Sequence, residues 1–384
     1  QFLYFIGVAT DNRQEQTKKM ATSHSLQWKE IECQGDRPMG RVGESLTTAD
    51  DAVFMYGGMV ENSECSQYLD EFFVLHPDAA RWERRDLRCA SAEADSFTAT
   101  AFHSCVTHNG RLYLFGGCSS DQQHNAVVRV DPRSATRELV RVTSNEAPAP
   151  RYCHSAVVFE NAMYIFGGKS GARDSSERLA DIFKFDFGNQ TWSHVEQRGD
   201  LPPPRSAHSA VVCGRKMFVV GGVSNVSSER GCCSDLYEFT FDTHMWRRIP
   251  DRNAAFERAR HSAVLHNGVI AVFGGWNGKR KLNDLYLHAL DGRDEDADTD
   301  PDTAPARREC HAAVMWKNTM LVFSGRHKTQ ALSDIQAVRL GPATLVEQAR
   351  DWLFRANYPL DTRKLPPRLA ARLDAWSDLH AIRN

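Results

Sequence analysis

Five histidines recur at one place in a repeated stretch of this chain: His103, His154, His208, His261 and His311. A ring of imidazoles could hold a metal ion. Copies of a repeat stand too far apart for several of them to meet at one ion, however. Each imidazole is therefore expected to bond backbone within its own copy, and no metal is expected. Three residues before four of these histidines lie Arg151, Arg205, Arg258 and Arg308. Arg41 holds the matching place in the first copy, and the second has Thr100 instead. Further along the copies come Asp70, Asp181, Asp235, Asp284 and Asp334, with no clear match in the second. Two readings stay open. The arginines form an inward ring whose guanidinium forks bind carboxylates of a ligand, or they pair with the aspartates and hold the fold.

Nothing outside the repeat resembles a nucleophile with its base, so no catalytic function is expected. The ten cysteines form no Cys-x-x-Cys and ignore the repeat. Several fall on expected strands, where a free thiol behaves as a small apolar group. A reducing compartment follows, with the cytoplasm expected first and the nucleus second. The formal net charge of −2 argues against nucleic acid or an anionic membrane surface as partner. No apolar run reaches the roughly 18 residues of a membrane span.

Strands and turns must position these residues. In residues 150–168, PRYCHSAVVFENAMYIFGG, a Pro-Arg start leads into a strand, a tight turn, a second strand and a glycine pair. Val157, Val158, Ile165 and Phe166 have the branched or aromatic side chains that strands favour. In other copies Asn109 with Gly110, and Asn267 with Gly268, suit a two-residue hairpin. The second glycines stand at 58, 117, 168, 222 and 275, and a weaker copy ends at Ser324 and Gly325. A step of 50–59 residues signals a repeat architecture. Units made of strands make it a propeller. Trp82, Trp192 and Trp246 each follow the second glycine by 24 residues, leaving room for a third and a fourth strand. In the second copy Leu139 is expected at the tryptophan's place. Six copies of four strands fit the chain.

The glycine pairs, the Asp-Leu or Asp-Ile pairs and the spaced tryptophans resemble a kelch repeat. The resemblance covers residues 26–341. The expected fold is all-β, a six-bladed kelch β-propeller. Its ring should be closed by the strand around Trp28, which resembles the fourth strand that the last copy lacks. Residues 1–25 are expected to be a peripheral extension, with Met20 as the natural start and no signal peptide. The acidic stretch at 291–305 is expected to be a solvated loop: a calcium loop needs Gly and Glu where Thr299 and Pro305 stand. The pattern shared by iron-dependent kelch enzymes is absent.

After Gly341 the periodicity turns helical, so residues 342–384 are expected to be a short helical tail. Thr344, Leu345, Ala349 and Leu353 resemble the elongin-binding BC box, with Ala349 where that box has Cys. Leu365, Pro366, Leu369 and Leu373 resemble a cullin-2 box. In this order behind a kelch propeller, they resemble the kelch-domain substrate receptors of cullin-2 ubiquitin ligases. That resemblance implies a non-catalytic receptor for an extended peptide or C-terminal tail, with elongin B–C and a cullin as partners and no cofactor. The alternative is a propeller scaffold within a larger assembly. Long loops on a rigid scaffold favour binding residues. The arginine side is therefore the expected recognition face, with Arg41, Arg151, Tyr152, Arg205, Ser206, Arg258, Trp276 and Arg308 as candidates.

Overall fold

The computed structural model describes residues 26–61, 66–90, 99–144, 146–171, 177–225, 231–250, 255–290 and 300–341. They form a β-propeller of six blades. Blade 1 comprises Ser45–Ala49, Ala52–Tyr56, Phe72–His76 and Arg81–Arg85; blade 2 comprises Ser104–His108, Arg111–Phe115, Val127–Asp131 and Thr136–Leu139. Blade 3 follows as Ser155–Phe159, Ala162–Phe166, Ile182–Asp186 and Thr191–Val195, and blade 4 as Ser209–Cys213, Lys216–Val220, Leu236–Thr240 and Met245–Ile249. Blade 5 has three strands among the described residues: Ser262–His266, Val269–Trp276 and Lys281–Ala289. Blade 6 takes Ala312–Trp316, Thr319–Phe323 and Ile335–Arg339 from its own repeat.

The fourth strand of blade 6 is Trp28–Glu30, antiparallel to Ile335–Arg339 with Trp28 opposite Val338. The expected closure is thus present. Trp28 is buried against Phe273, with ring centroids 4.6 Å apart. The first and last parts of the chain share one sheet, which removes an open sheet edge.

Every second strand is almost wholly buried, because neighbouring blades cover both its faces. The apolar runs AVFMY at 52–56 and AMYIF at 162–166 meet that requirement. Packing therefore runs between blades: Val157, Tyr164 and Phe166 of blade 3 share a cluster with Met217, Val219 and Trp246 of blade 4.

The glycine pairs make the tightest contact. A Cβ on Gly167 would lie 2.7 Å from the Arg205 carbonyl oxygen, and one on Gly168 would lie 2.8 Å from the His154 Cβ. Both also have positive φ. The close approach serves hydrogen bonding. The second glycine of each blade donates its N–H to the carbonyl at the arginine position of the next: Gly58 to Thr100, Gly117 to Arg151, Gly168 to Arg205, Gly222 to Arg258, Gly275 to Arg308 and Gly325 to Arg41. At the seam Ser324 replaces the first glycine, and its Oγ accepts the Arg41 N–H at 2.9 Å.

Blade 2 departs from expectation. Arg137, not Leu139, pairs with Val130, the register that Trp192 takes against Phe185 in blade 3. The loop after Gly117 is nine residues long (118–126), against thirteen after Gly168 (169–181), so everything downstream arrives four residues earlier. Arg137 is buried and donates to Tyr56 and Asp70 of blade 1. The peripheral extension at 1–25, the helical tail at 342–384 and its box residues Leu345, Ala349, Leu353, Leu365, Pro366, Leu369 and Leu373 lie outside the described residues. No helix among the described residues is long and apolar enough to cross a membrane.

Candidate binding face

The arginine ring is a set of buried clamps. Arg41, Arg151, Arg205, Arg258 and Arg308 are at most 3% exposed. Arg151 forks onto Asp181 at 2.6 and 3.0 Å, Arg258 onto Asp284 at 3.1 and 2.8 Å, and Arg308 onto Asp334 at 2.9 and 2.7 Å. Arg205 donates to Asp235 at 3.0 Å. Arg41 takes Glu71 at 2.7 Å, leaving Asp70 to Arg137. Each also donates to the carbonyl of the residue that opens the glycine pair, as Arg151 does to Gly167 at 3.0 Å. The guanidinium groups thus tie the incoming loop, the glycine turn and the third strand of one blade together. Of the two readings, pairing with acidic residues is the one present, and the five guanidinium groups themselves are buried. Blade 2, with Thr100, has neither partner. Its Thr100 hydroxyl donates to the Cys118 carbonyl at 3.4 Å.

The histidines are not bonded within their own blades as expected; four bridge to the blade before. Nε2 of His103, His154, His208 and His311 lies 2.8–2.9 Å from the hydroxyl of Ser45, Ser104, Ser155 and Ser262. At His261 the Ser209 hydroxyl donates to the backbone carbonyl instead. Burial pushes His103, His208 and His311 down to about 3, so all three are neutral at pH 7. Among the described residues no group of three His, Cys, Asp or Glu is arranged to hold a metal.

What does face the axis is built in tiers. The residue before each histidine position has positive φ: Gly43, Phe102, Cys153, Ala207, Arg260 and Cys310. Each donates its N–H to the carbonyl of its counterpart in the preceding blade, and Gly43 donates to Cys310, so six peptide groups form one closed ring. Above this throat, six backbone bridges form a wall: Val42 with Met59, Ala101 with Cys118, Tyr152 with Lys169, Ser206 with Val223, Ala259 with Trp276, and Glu309 with Arg326. Lys169, Val223 and Arg326 of this wall, with all six throat residues, line an axial cavity of about 480 Å³. Tyr152, Ser206 and Trp276 line it; the five clamp arginines do not.

The charged lining comes from residues that the spacing argument missed. Arg260, Arg326 and Lys281 converge on the buried carboxylate of Glu309 at 2.9, 3.0 and 3.4 Å, and Arg326 also reaches Glu61 at 2.7 Å. Lys169 and Arg178 have no such partner. They stand directly opposite each other across a two-stranded hairpin of blade 3, and neither meets a carboxylate among the described residues. Like charges in directly opposed positions destabilise a strand pair. Burial, then Arg178 and Arg260, push the Lys169 ammonium below its ordinary pKa. Four cations, Lys169, Arg178, Arg260 and Arg326, line the cavity; Arg260 and Arg326 pair with Glu309 and Glu61, which leaves Lys169 and Arg178 without a carboxylate among the described residues. A signal existed in the sequence: the residue after each glycine pair always forms the wall, and there Lys169, Trp276 and Arg326 are found.

Closed blades, clamps and an axial cavity define a β-propeller with a cavity on its loop face. A family model described as the KLHDC2/KLHL20/DRC7 Kelch-repeats domain matches residues 1–222, and one described as the Attractin/LZTR1 beta-propeller matches residues 112–339. The chain belongs to the kelch-repeat β-propeller family, and as a kelch propeller it is a protein-binding domain. It is 27% identical over 318 residues to the leucine-zipper-like transcriptional regulator 1 homolog of Drosophila melanogaster, covering 66% of this chain and 32% of that protein. It is 27% identical over 261 residues to acyl-CoA-binding domain-containing protein 4 of Arabidopsis thaliana, covering 66% and 37%. Identity to human host cell factor 1 is 28% over 288 residues, covering 66% and 14%. The chain thus spans well under half the length of these relatives.

Proposed function

We propose that this chain is the non-catalytic substrate receptor of a cullin-RING ubiquitin ligase, and that its axial cavity takes the anionic end of an extended peptide. The uncompensated Lys169 and Arg178 pair carries the reading. Two cations held together at a cost, beside Tyr152, Ser206 and Trp276, favour a carboxylate. A C-terminal carboxylate offers that charge together with a chain that can lie along the wall. The ligase half of the reading is supported by the BC-box and cullin-box resemblance in the tail. Relatives longer than this chain favour a second reading, a propeller scaffold in a larger assembly.

Two measurements test the proposal. A library of random decapeptides displayed at the C-terminus of a carrier protein should yield binders that lose at least tenfold in affinity when amidated. Lys169→Ala should cost a similar factor. Purified chain should also retain elongin B–C, and Leu345→Asp should abolish that retention. Binders indifferent to amidation sink the carboxylate reading, whereas no retention of elongin B–C favours the scaffold.

A further inference from the structure

The loop face is not uniform around the ring, and its unevenness gives a ligand chain a direction. Thirteen residues separate the glycine pair from the third strand in blades 1, 3 and 4 (59–71, 169–181 and 223–235). Only nine do so in blades 2 and 6 (118–126 and 326–334), and only five in blade 5 (276–280). The longer segments begin as hairpins, Met59–Glu61 with Ser66–Tyr68 in blade 1 and Lys169–Ser170 with Glu177–Arg178 in blade 3. Blade 2 therefore forms a low floor between two raised walls. A second cavity of about 560 Å³ lies there. Tyr68 of blade 1 forms one side, Ser170 and Gly171 of blade 3 the other, and residues 119–123 the floor. It adjoins the axial cavity, because Phe102 and Tyr152 line both.

We propose that a bound peptide, with its anionic end against Lys169 and Arg178, leaves the axis over blade 2 and places a bulky neutral side chain in this lateral cavity. The inference rests on the axial reading above and adds the path and the second specificity position. Three aromatic rings, Tyr68, Phe102 and Tyr152, offer apolar surface to such a side chain. Asp121 sets the charge preference. It is exposed on the floor, and Ser119 and Ser120 donate to its carboxylate, the first at 3.0 Å. Those hydroxyls hold its pKa below the ordinary value, so it is ionised at pH 7. The path is thus polarised, positive at the axis and negative at the rim. An acidic residue is accepted at the first position and refused at the second.

The test uses full-length chain and one decapeptide selected from the C-terminal library. A companion peptide keeps the last three residues and has Gly and Ser upstream. On the unmodified chain the companion should bind about tenfold more weakly. Ser120→Trp, which fills the lateral cavity from an exposed position, should weaken the decapeptide by the same factor and leave the companion unchanged. Asp121→Lys on the exposed floor should make an upstream Glu acceptable, and it touches no core residue. Lys169→Ala should weaken both peptides. If Ser120→Trp leaves the decapeptide unchanged, or if its effect simply adds to that of the upstream substitution, the blade 2 path is overturned. If Lys169→Ala affects neither peptide while Ser120→Trp affects one, the axial reading fails and the lateral cavity stands alone.

Discussion

Glu44 sits where the other five blades have histidine, and it meets Ala312 where the preceding blade elsewhere supplies serine. Both departures fall at the one seam between the last blade and the first, so the imidazole–hydroxyl bridge is lost from both sides. Glu44 is buried, and neither of its carboxyl oxygens has a hydrogen-bond partner of good geometry. Burial pushes it up to about 8, and the backbone amides of Glu44 and Ala312 and the Arg41 charge offset only part of that. The folded-state pKa therefore exceeds the unfolded value of 4.5. The stabilising contribution of the neutral form is full below 4.5 and falls as pH rises through about 8. Glu44→Gln keeps the shape and removes the titration. The variant should match the parent near pH 5 and exceed it by a few kcal/mol at pH 9, at about 1.4 kcal/mol per pKa unit. Urea denaturation of both proteins at pH 5, 7 and 9 measures this, and parallel stability curves would refute it.

At the scale of elements, the fold was legible because each copy repeats the same local demands. The glycine pair marks a backbone approach too close for Cβ, and the tryptophan marks a fourth strand. The missing strand after residue 340 and the surplus strand at Trp28 could be matched from sequence alone. Offsets were misjudged where loop length changes. The clamp carboxylate lies thirty residues after the arginine in blades 1, 3 and 4, but twenty-six after it in blades 5 and 6. Read that way, Glu71 rather than Asp70 is the partner of Arg41. The closure itself predicts a strong effect. Removing residues 20–32 exposes the edge at Ile335–Arg339 and deletes a buried tryptophan, a loss of about 3–5 kcal/mol on core-substitution scales. The melting temperature should fall by roughly 10 °C, at 2–4 °C per kcal/mol for a large domain. Adding a peptide of residues 24–34 should recover part of that loss. A deletion that melts at the parental temperature would show that the strand does not close the ring.

At the scale of the whole molecule, the two cavities lie on one face and the last described strand ends on the other. The axial cavity was only half legible in the sequence. Tyr152, Ser206 and Trp276 could be named beforehand as residues of the loop face, but the charge balance at the cavity depends on residues that blades 1, 3, 5 and 6 bring together. Lys169 gains its meaning only when Arg178 stands across from it and Glu309 is already taken by Arg260, Arg326 and Lys281. The opposite face carries the tight hairpin turns. There the last described strand ends, with Leu340 donating its N–H to the carbonyl of Asn318 in such a turn. Whatever follows Gly341 starts from the side away from the two cavities. A ligand influences a distant site only by binding two states of the protein differently, and a closed ring with two circular belts of hydrogen bonds offers little to switch. A peptide in the axial cavity should therefore leave elongin B–C affinity unchanged within twofold, and both should bind one molecule together. Titrating elongin B–C into chain saturated with the selected decapeptide, and into free chain, measures this directly. A tenfold difference between the two titrations, or displacement of the peptide, would mean that the tail reaches back across the propeller to the loop face.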